Sequence, residues 1–226
     1  MHIPDGLLDP ATAAVTTVGG AAAVAYALKK SRQSLDDRRI PVVGMTAAFV
    51  FAAQMVTIPI AGGTSAHLLG GALAGIMLGP WLGTLVMAVV YAVQAIGFAD
   101  GGITALGANI LGVGLLPAAG GYYLFRTLTA LTPRTRTAYL SMVAAVSWIS
   151  TVAASALVAA FIVFGGPLPV AAFPIMIIVH SLVGVGEALI AVAVISAVLA
   201  SRPDVLANRD RLPENSAAPG GEGSPA

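Results

Sequence analysis

Residues 138–164 read AYLSMVAAVSWISTVAASALVAAFIVF, and no charged side chain interrupts them. As an α-helix this run would extend about 40 Å, more than the ~30 Å hydrocarbon core of a bilayer. The same character runs through the chain. Of its 226 residues 58% are hydrophobic and 9% charged, and the mean hydropathy is +0.91. Soluble domains carry about 25% charged residues, so this composition cannot clothe a water-facing surface. The apolar runs are continuous rather than alternating, which selects a helical bundle over a barrel. The 26 glycines and the many alanines suit close helix approach in lipid. The expectation is an all-α integral membrane protein.

Seven apolar segments can be drawn, at about 11–28, 41–60, 66–79, 82–99, 103–125, 138–164 and 171–200. They predict a bundle of about seven transmembrane helices. The third is short and Gly-rich, and reads as a half-span or a tilted helix packed inside protein. The last two are long enough to tilt or to extend past the bilayer. Three parts follow: an N-terminal segment 1–10, a transmembrane helical domain 11–201, and a tail 202–226. The tail is polar, rich in Pro, Gly and Ser, and expected to be disordered. The first basic residue, Lys29, comes after the first apolar run, so that run reads as a retained span rather than a signal peptide.

All eleven Lys and Arg residues fall in three clusters: Lys29, Lys30, Arg32, Arg38 and Arg39; Arg126, Arg134 and Arg136; Arg202, Arg209 and Arg211. With seven spans the clusters share one side, and the positive-inside rule makes it cytoplasmic. The N-terminus is then outside and the C-terminus cytoplasmic. Nothing in this charge placement points to nucleic acid. His2, His67 and Asp100 all reach the outer side, which carries no Lys or Arg.

The chain opens MHIPDGLLDP. The Met1 α-amine, the His2 amide nitrogen and the His2 imidazole can close two adjacent chelate rings on one cation. An amine with an ordinary pKa of about 8 gives up its proton to a metal readily. One in-plane corner stays open, and His67 is the candidate to fill it. Four in-plane nitrogens suit Ni(II) or Cu(II), with Co(II) third, whereas Ca(II) and Mg(II) prefer oxygen. The plainer readings are a solvated His2, and a packed His67 beside a helix capped by Thr64 or Ser65. The third histidine, His180, lies three turns into the last segment and either lines a cavity or bonds a backbone carbonyl.

Polar residues also sit within the spans. Gln54, Gln94, Asn109 and Glu187 read either as interhelical hydrogen-bond partners or as groups that orient metal ligands. Glu187 shares a helical face with His180. The spacings Ala21–Ala25 and Ala48–Ala52 would let another helix come close. The chain has no cysteine, which excludes disulfides and thiolate sites. It also lacks GxxxxGK[ST], HExxH and GxSxG, so nothing marks it as an ATPase or hydrolase.

Four stretches appear in order: MHIPDGLL at 1–8, GGTSAHLLGGALAGIMLGPW at 62–81, FADGGITALGAN at 98–109 and HSLVGVGEALI at 180–190. Together they resemble the CbiM/NikM family, the metal-specific membrane subunits of energy-coupling factor importers for cobalt and nickel. The resemblance covers about residues 1–200. It implies seven spans and a Ni(II) or Co(II) site made by Met1, His2 and His67. It also implies partners: a transmembrane coupling subunit, ATPase subunits and often a small auxiliary membrane subunit. Ala48 and Ala52 would then lie on a face that contacts the coupling subunit. Relatives often carry Asn-Met soon after ALGAN, where this chain has Gly112 and Val113. That departure confines any ligand-orienting role in this stretch to Asn109.

The expected function is capture of Co(II) or Ni(II) outside a prokaryotic cell membrane for ATP-driven uptake, for example toward cobalamin or nickel enzymes. Ser65, Gln94, Asp100 and Asn109 are the candidates for orienting the ligands. No cofactor is expected, since the cation is the transported ligand, and no residue is expected to do covalent chemistry. Two alternatives stand. One is a stand-alone secondary transporter or channel using Glu187 and His180 as relays. The other is an assembly subunit without a ligand.

Overall fold

A computed structural model of the chain describes residues 1–32, 35, 37, 39–59 and 65–214. Helix α1 is Pro10–Ser31, α2 is Ile40–Gln54, α3 is Gly71–Leu78 and α4 is Pro80–Gly97. A continuous helix Leu106–Ala130 is α5, Arg136–Phe164 is α6 and Ala172–Ser201 is α7. Five of these are long and apolar enough to cross a membrane, while α2 has 15 residues and α3 only 8. The fold is all-α apart from one small antiparallel pairing of Ile58–Pro59 with Ser65–Ala66.

The predicted segment 66–79 is only half helical. Residues 67–70 run without regular structure, and Gly71–Leu78 supplies the helix, with every side chain of it buried. An unwound backbone at membrane depth must find its hydrogen bonds inside the protein, and here it does. Glu187 of α7 accepts from the Leu69 N–H (2.8 Å) and the Gly70 N–H (2.6 Å). Gln54 at the end of α2 donates its side-chain amide to the Leu69 carbonyl. Glu187 is thus a structural clasp on the broken crossing.

Helix α5 is also irregular. From Ile110 to Gly120 it winds with i→i+5 bonding around Pro117, which has no N–H to give. The Val113 carbonyl in this wide stretch accepts from the Tyr91 hydroxyl of α4 at 3.0 Å. Helices α1 and α5 meet backbone to backbone. A Cβ on Gly20 would stand 2.8 Å from the Gly107 Cα, so this crossing requires the missing side chain.

The basic residues gather at one end of the bundle. Arg39, Arg202 and Arg209 line a single cleft of about 480 Å³ with Leu78 and Asp204. Arg126 pairs with Asp210 at 2.9 Å, and Arg136 donates to the Ser196 carbonyl. Tyr26, Trp81 and Tyr123 form an edge-to-face series near this end. At the opposite end the Asp9 N–H, at the start of α1, donates to the Gly165 carbonyl just past α6. Arg38 lies outside the described residues.

The expectation of a disordered tail from 202 onward fails for residues 203–214. Helix α3 is so short that it leaves space beneath it at the basic end. Leu206 fills that space, fully buried, while the Ala207 N–H donates to the Met77 carbonyl at 3.0 Å. Asn208 is also buried, and the Glu214 N–H reaches the Arg134 carbonyl. Residues 215–226 lie outside the described residues.

Candidate metal centre

The first three residues are inside the protein. Met1 and Ile3 are fully buried and His2 is 4% exposed. Extended backbone can be buried only if its polar groups are paired. Asn109 pairs them as a neighbouring strand would: its Oδ1 accepts from the Ile3 N–H (2.8 Å) and its Nδ2 donates to the Ile3 carbonyl (3.1 Å). The Gly102 N–H also donates to that carbonyl at 2.8 Å. Gly101 sits at φ 95°, a backbone conformation that favours glycine, and a Cβ there would press on the His2 Cβ at 3.1 Å. Farther out, Asp5 accepts from the backbone and hydroxyl of Thr104, and Asp9 caps α1 through the Ala11 and Thr12 N–H groups. The MHIPDG segment is therefore threaded into the bundle mouth and held at each step.

The His2 and His67 rings lie 4.5 Å apart, centroid to centroid, and Tyr91 sets its edge on His2 at 5.0 Å. His67 is placed by the unwound stretch that Glu187 and Gln54 clasp. Its Nδ1 is 2.8 Å from the Leu68 carbonyl. A carbonyl only accepts, so Nδ1 carries the proton and Nε2 presents a bare lone pair. That Nε2 is buried with no hydrogen-bond partner among the described residues, and the same holds for Nε2 of His2. A buried acceptor left unmet costs about 1–3 kcal/mol. The two rings that carry these nitrogens are neighbours at the bundle mouth.

Burial lowers the Met1 amine from 8.0 to about 4, against the pull of Asp100, so at neutral pH it is an uncharged donor. Burial likewise lowers His2, opposed by its hydrogen bond to Asp100. The 3.1 Å contact from His2 Nδ1 to Asp100 Oδ1 is thus a hydrogen bond rather than an ion pair. That hydrogen bond from His2 holds Asp100 below the usual carboxylate range, so it stays ionised. The centre is a set of neutral nitrogens beside one negative charge, an environment that favours a cation.

Of the residues singled out in the sequence, Met1, His2, His67, Asp100 and Asn109 converge here. Gln94 contributes its carbonyl, which accepts from the Asp100 N–H at 3.1 Å and so positions that carboxylate. Its side-chain amide is buried without a partner among the described residues. The Ser65 backbone pairs with Pro59, but its side chain lies outside the described residues, as does Thr64. Ala48 and Ala52 are exposed on α2, away from the centre. Sequence reasoning missed Tyr91, whose only signal was a hydroxyl in an apolar helix. It also left Glu187 and Gln54 without an assigned partner.

Among the described residues no three His, Cys, Asp or Glu side chains converge to hold a metal by themselves. The buried terminus adds a main-chain nitrogen, the Met1 amine, close enough to His67 to act on it electrostatically. Residues 2–205 match the CbiM family, described as the cobalt uptake substrate-specific transmembrane region.

The chain belongs to the CbiM family.

Other similarities agree with that membership. A Haloquadratum walsbyi protein provisionally named a metal transport protein is 41% identical over 91% of this chain and 93% of its own length. The fused nickel transport protein NikMN of Rhodobacter capsulatus is 34% identical over 92% of this chain and 65% of its own. A crystal structure of a truncated transition metal transporter superposes with a TM-score of 0.82 at 31% identity, covering 88% of this chain and 99% of that one. This CbiM-family chain is a multi-pass membrane protein.

Proposed function

We propose that this chain captures Ni(II) or Co(II) from outside the cell, as the substrate-specific membrane subunit of an ATP-driven energy-coupling factor importer. The observation that carries the reading is the buried, uncharged Met1 amine set beside His2 and His67. The nickel-transport name of the Rhodobacter relative and the cobalt-uptake description of the family support the choice of cation. The Met1 amine, the His2 amide and imidazole, and His67 Nε2 form the nitrogen set. The clustering of basic residues at the other end supports an outward-facing site and a cytoplasmic C-terminus.

Closing the six-membered chelate ring takes His2 Nδ1, the nitrogen that faces Asp100 here. Loading therefore exchanges the Asp100 contact for the cation by a turn of the ring about Cβ–Cγ. Asp100 then stays beside a site whose charge has become positive. ATP hydrolysis resides in separate ATPase subunits, linked through a transmembrane coupling subunit and, in some assemblies, a small auxiliary membrane subunit. The exposed face of α2 bearing Ala48 and Ala52 is offered to the coupling subunit. A stand-alone transporter using Glu187 as a proton relay is less well supported, because both Glu187 oxygens already serve backbone N–H groups.

Metal analysis and calorimetry on protein purified with an untouched N-terminus test the reading. One Ni(II) or Co(II) per chain, bound tighter than micromolar, is expected. No binding at that level would remove the capture function.

A further inference from the structure

The basic end of the bundle carries two cavities that meet. The first is the cleft of about 480 Å³ where Arg39, Arg202 and Arg209 gather. The three come from separate elements: the residue before α2, the residue after α7 and the folded-back segment. The one carboxylate lining the cleft, Asp204, is engaged by Arg202 through Nε at 2.8 Å and Nη2 at 2.9 Å. Three guanidinium charges less one carboxylate leave a surplus of two. Helix α2 starts at this cleft without a side-chain cap, so its first N–H groups add to the positive potential.

The second cavity is an apolar groove of about 180 Å³. Val42, Met45, Thr46 and Phe49 line it from one face of α2, with Met77 from α3 and Val194 from α7. The Thr46 hydroxyl donates to the Val42 carbonyl at 2.8 Å, so its proton is not offered to the groove. Val42 lines both cavities, and Met77 of the groove is followed in the chain by Leu78 of the cleft. From Val42 to Phe49 the groove follows α2 for about 10 Å, about a third of a bilayer's hydrocarbon core. Its outer edge is open, since Met45 and Phe49 are exposed. The depth also fits. Trp81, close after Leu78, stands edge-to-face with Tyr26 and Tyr123, and such aromatic groups mark the membrane–water interface.

We infer that the two cavities together hold one anionic phospholipid, its phosphate in the arginine cleft and an acyl chain in the groove. Basic pockets between helices at a membrane surface suit an anionic headgroup. A zwitterionic lipid brings an ammonium group to a site that is already positive. A free phosphate fills the cleft but leaves the adjoining groove without its chain. The bound lipid bridges α2, α7 and the folded-back segment, whose arginines otherwise repel one another. The inference is independent of the cation taken at the other end.

Native mass spectrometry of the full chain tests it, with phosphatidylglycerol or phosphatidylcholine of identical acyl chains added to the detergent. One arginine near an anionic headgroup contributes about fivefold in binding, so a surplus of two predicts roughly 25-fold tighter retention of phosphatidylglycerol. Equal retention of the two lipids would overturn the inference. In Arg39→Gln/Arg209→Gln protein, its helix content checked by circular dichroism, the preference should disappear; a folded variant that kept it would remove the cleft as the headgroup site. The lipid comparison needs no variant, so it decides the matter even if the double substitution misfolds. Inorganic phosphate at the lipid's own concentration should displace none of it. Full displacement would make the cleft a free-anion site, and a lipid-free dimer would give the groove to a second copy of the chain; either result overturns the lipid assignment.

Discussion

The two ends of this chain's transmembrane domain are built on different principles. The α6–α7 hairpin is regular: 29 and 30 residues wind without a break, and their contact is mostly small and apolar side chains with few polar links, such as Trp148 Nε1 to the Ser181 carbonyl at 2.9 Å. The mouth around His2 and His67 is the reverse. Its backbone is extended, turned or unwound, and nearly every strand of it is held by a side chain from a distant helix. Regular helix satisfies its own backbone and needs only packing. Irregular backbone at membrane depth needs dedicated partners, and in return it leaves nitrogens free to face a ligand.

That contrast predicts a steep difference in sensitivity. The mouth should fail abruptly under changes that leave the hairpin indifferent. Adding one residue before Met1 moves the amine out of the centre. Affinity for Ni(II), measured by calorimetry, should then fall by roughly 100-fold or more, beyond the ~10–100-fold typical of residues that only orient ligands. An extended protein that bound normally would show that the terminus is not a ligand.

Asn109→Leu removes both side-chain bonds to Ile3 and leaves only the one from the Gly102 N–H. Its cost should be about tenfold in affinity, with faster hydrogen exchange at the Ile3 and Gly102 amides. Glu187→Gln leaves an amide group facing an N–H and strands one buried donor, a loss of about 1–3 kcal/mol. Thermal melting should register it, and the Ni(II) spectrum should broaden as His67 loses its clasp.

Acid should undo the mouth before the hairpin. The Met1 amine titrates near 8.0 when undocked and about 4 when buried. The undocked state therefore binds the extra proton between these values, and docking weakens progressively as pH falls from 8 toward 4. Asp5 and Asp100 act at lower pH. Hydrogen bonds from Thr104 and from His2 lower them, so their contribution is present above about 4 and is lost as pH falls through the depressed value. Exchange rates at Ile3 followed against pH, with the α6–α7 amides as internal reference, check the order. The smallest effect belongs to Trp148→Phe in the hairpin, about 1 kcal/mol or less in stability, with Ni(II) affinity unchanged.

Much of the bundle was legible from hydropathy alone, because a membrane span is a local property of some 20 residues. Segments 138–164 and 171–200 became α6 and α7 almost as drawn. The shortness of α3 was foreshadowed by its glycines, whereas the folding back of Leu206 was not. A lone leucine in a polar stretch has no pattern of its own, and its place depends on the gap that a short helix leaves elsewhere. In the candidate centre, His2, His67 and Asp100 could be assigned to one end by counting spans and basic clusters. The clasp of Glu187 on Leu69 and Gly70 links positions more than a hundred residues apart and leaves no periodicity to read.

Composition and charge order were enough to establish a polytopic helical protein with its terminus and two histidines at the end away from the arginines, since both depend on short-range transfer of side chains between water and lipid. The folded arrangement alone made Met1 an uncharged, buried amine, buried three imidazole nitrogens without a hydrogen-bond partner among the described residues, and assigned Asn109 and Glu187 their backbone partners. Those outcomes depend on how distant segments exclude water from one another, and that is a property of their packing together.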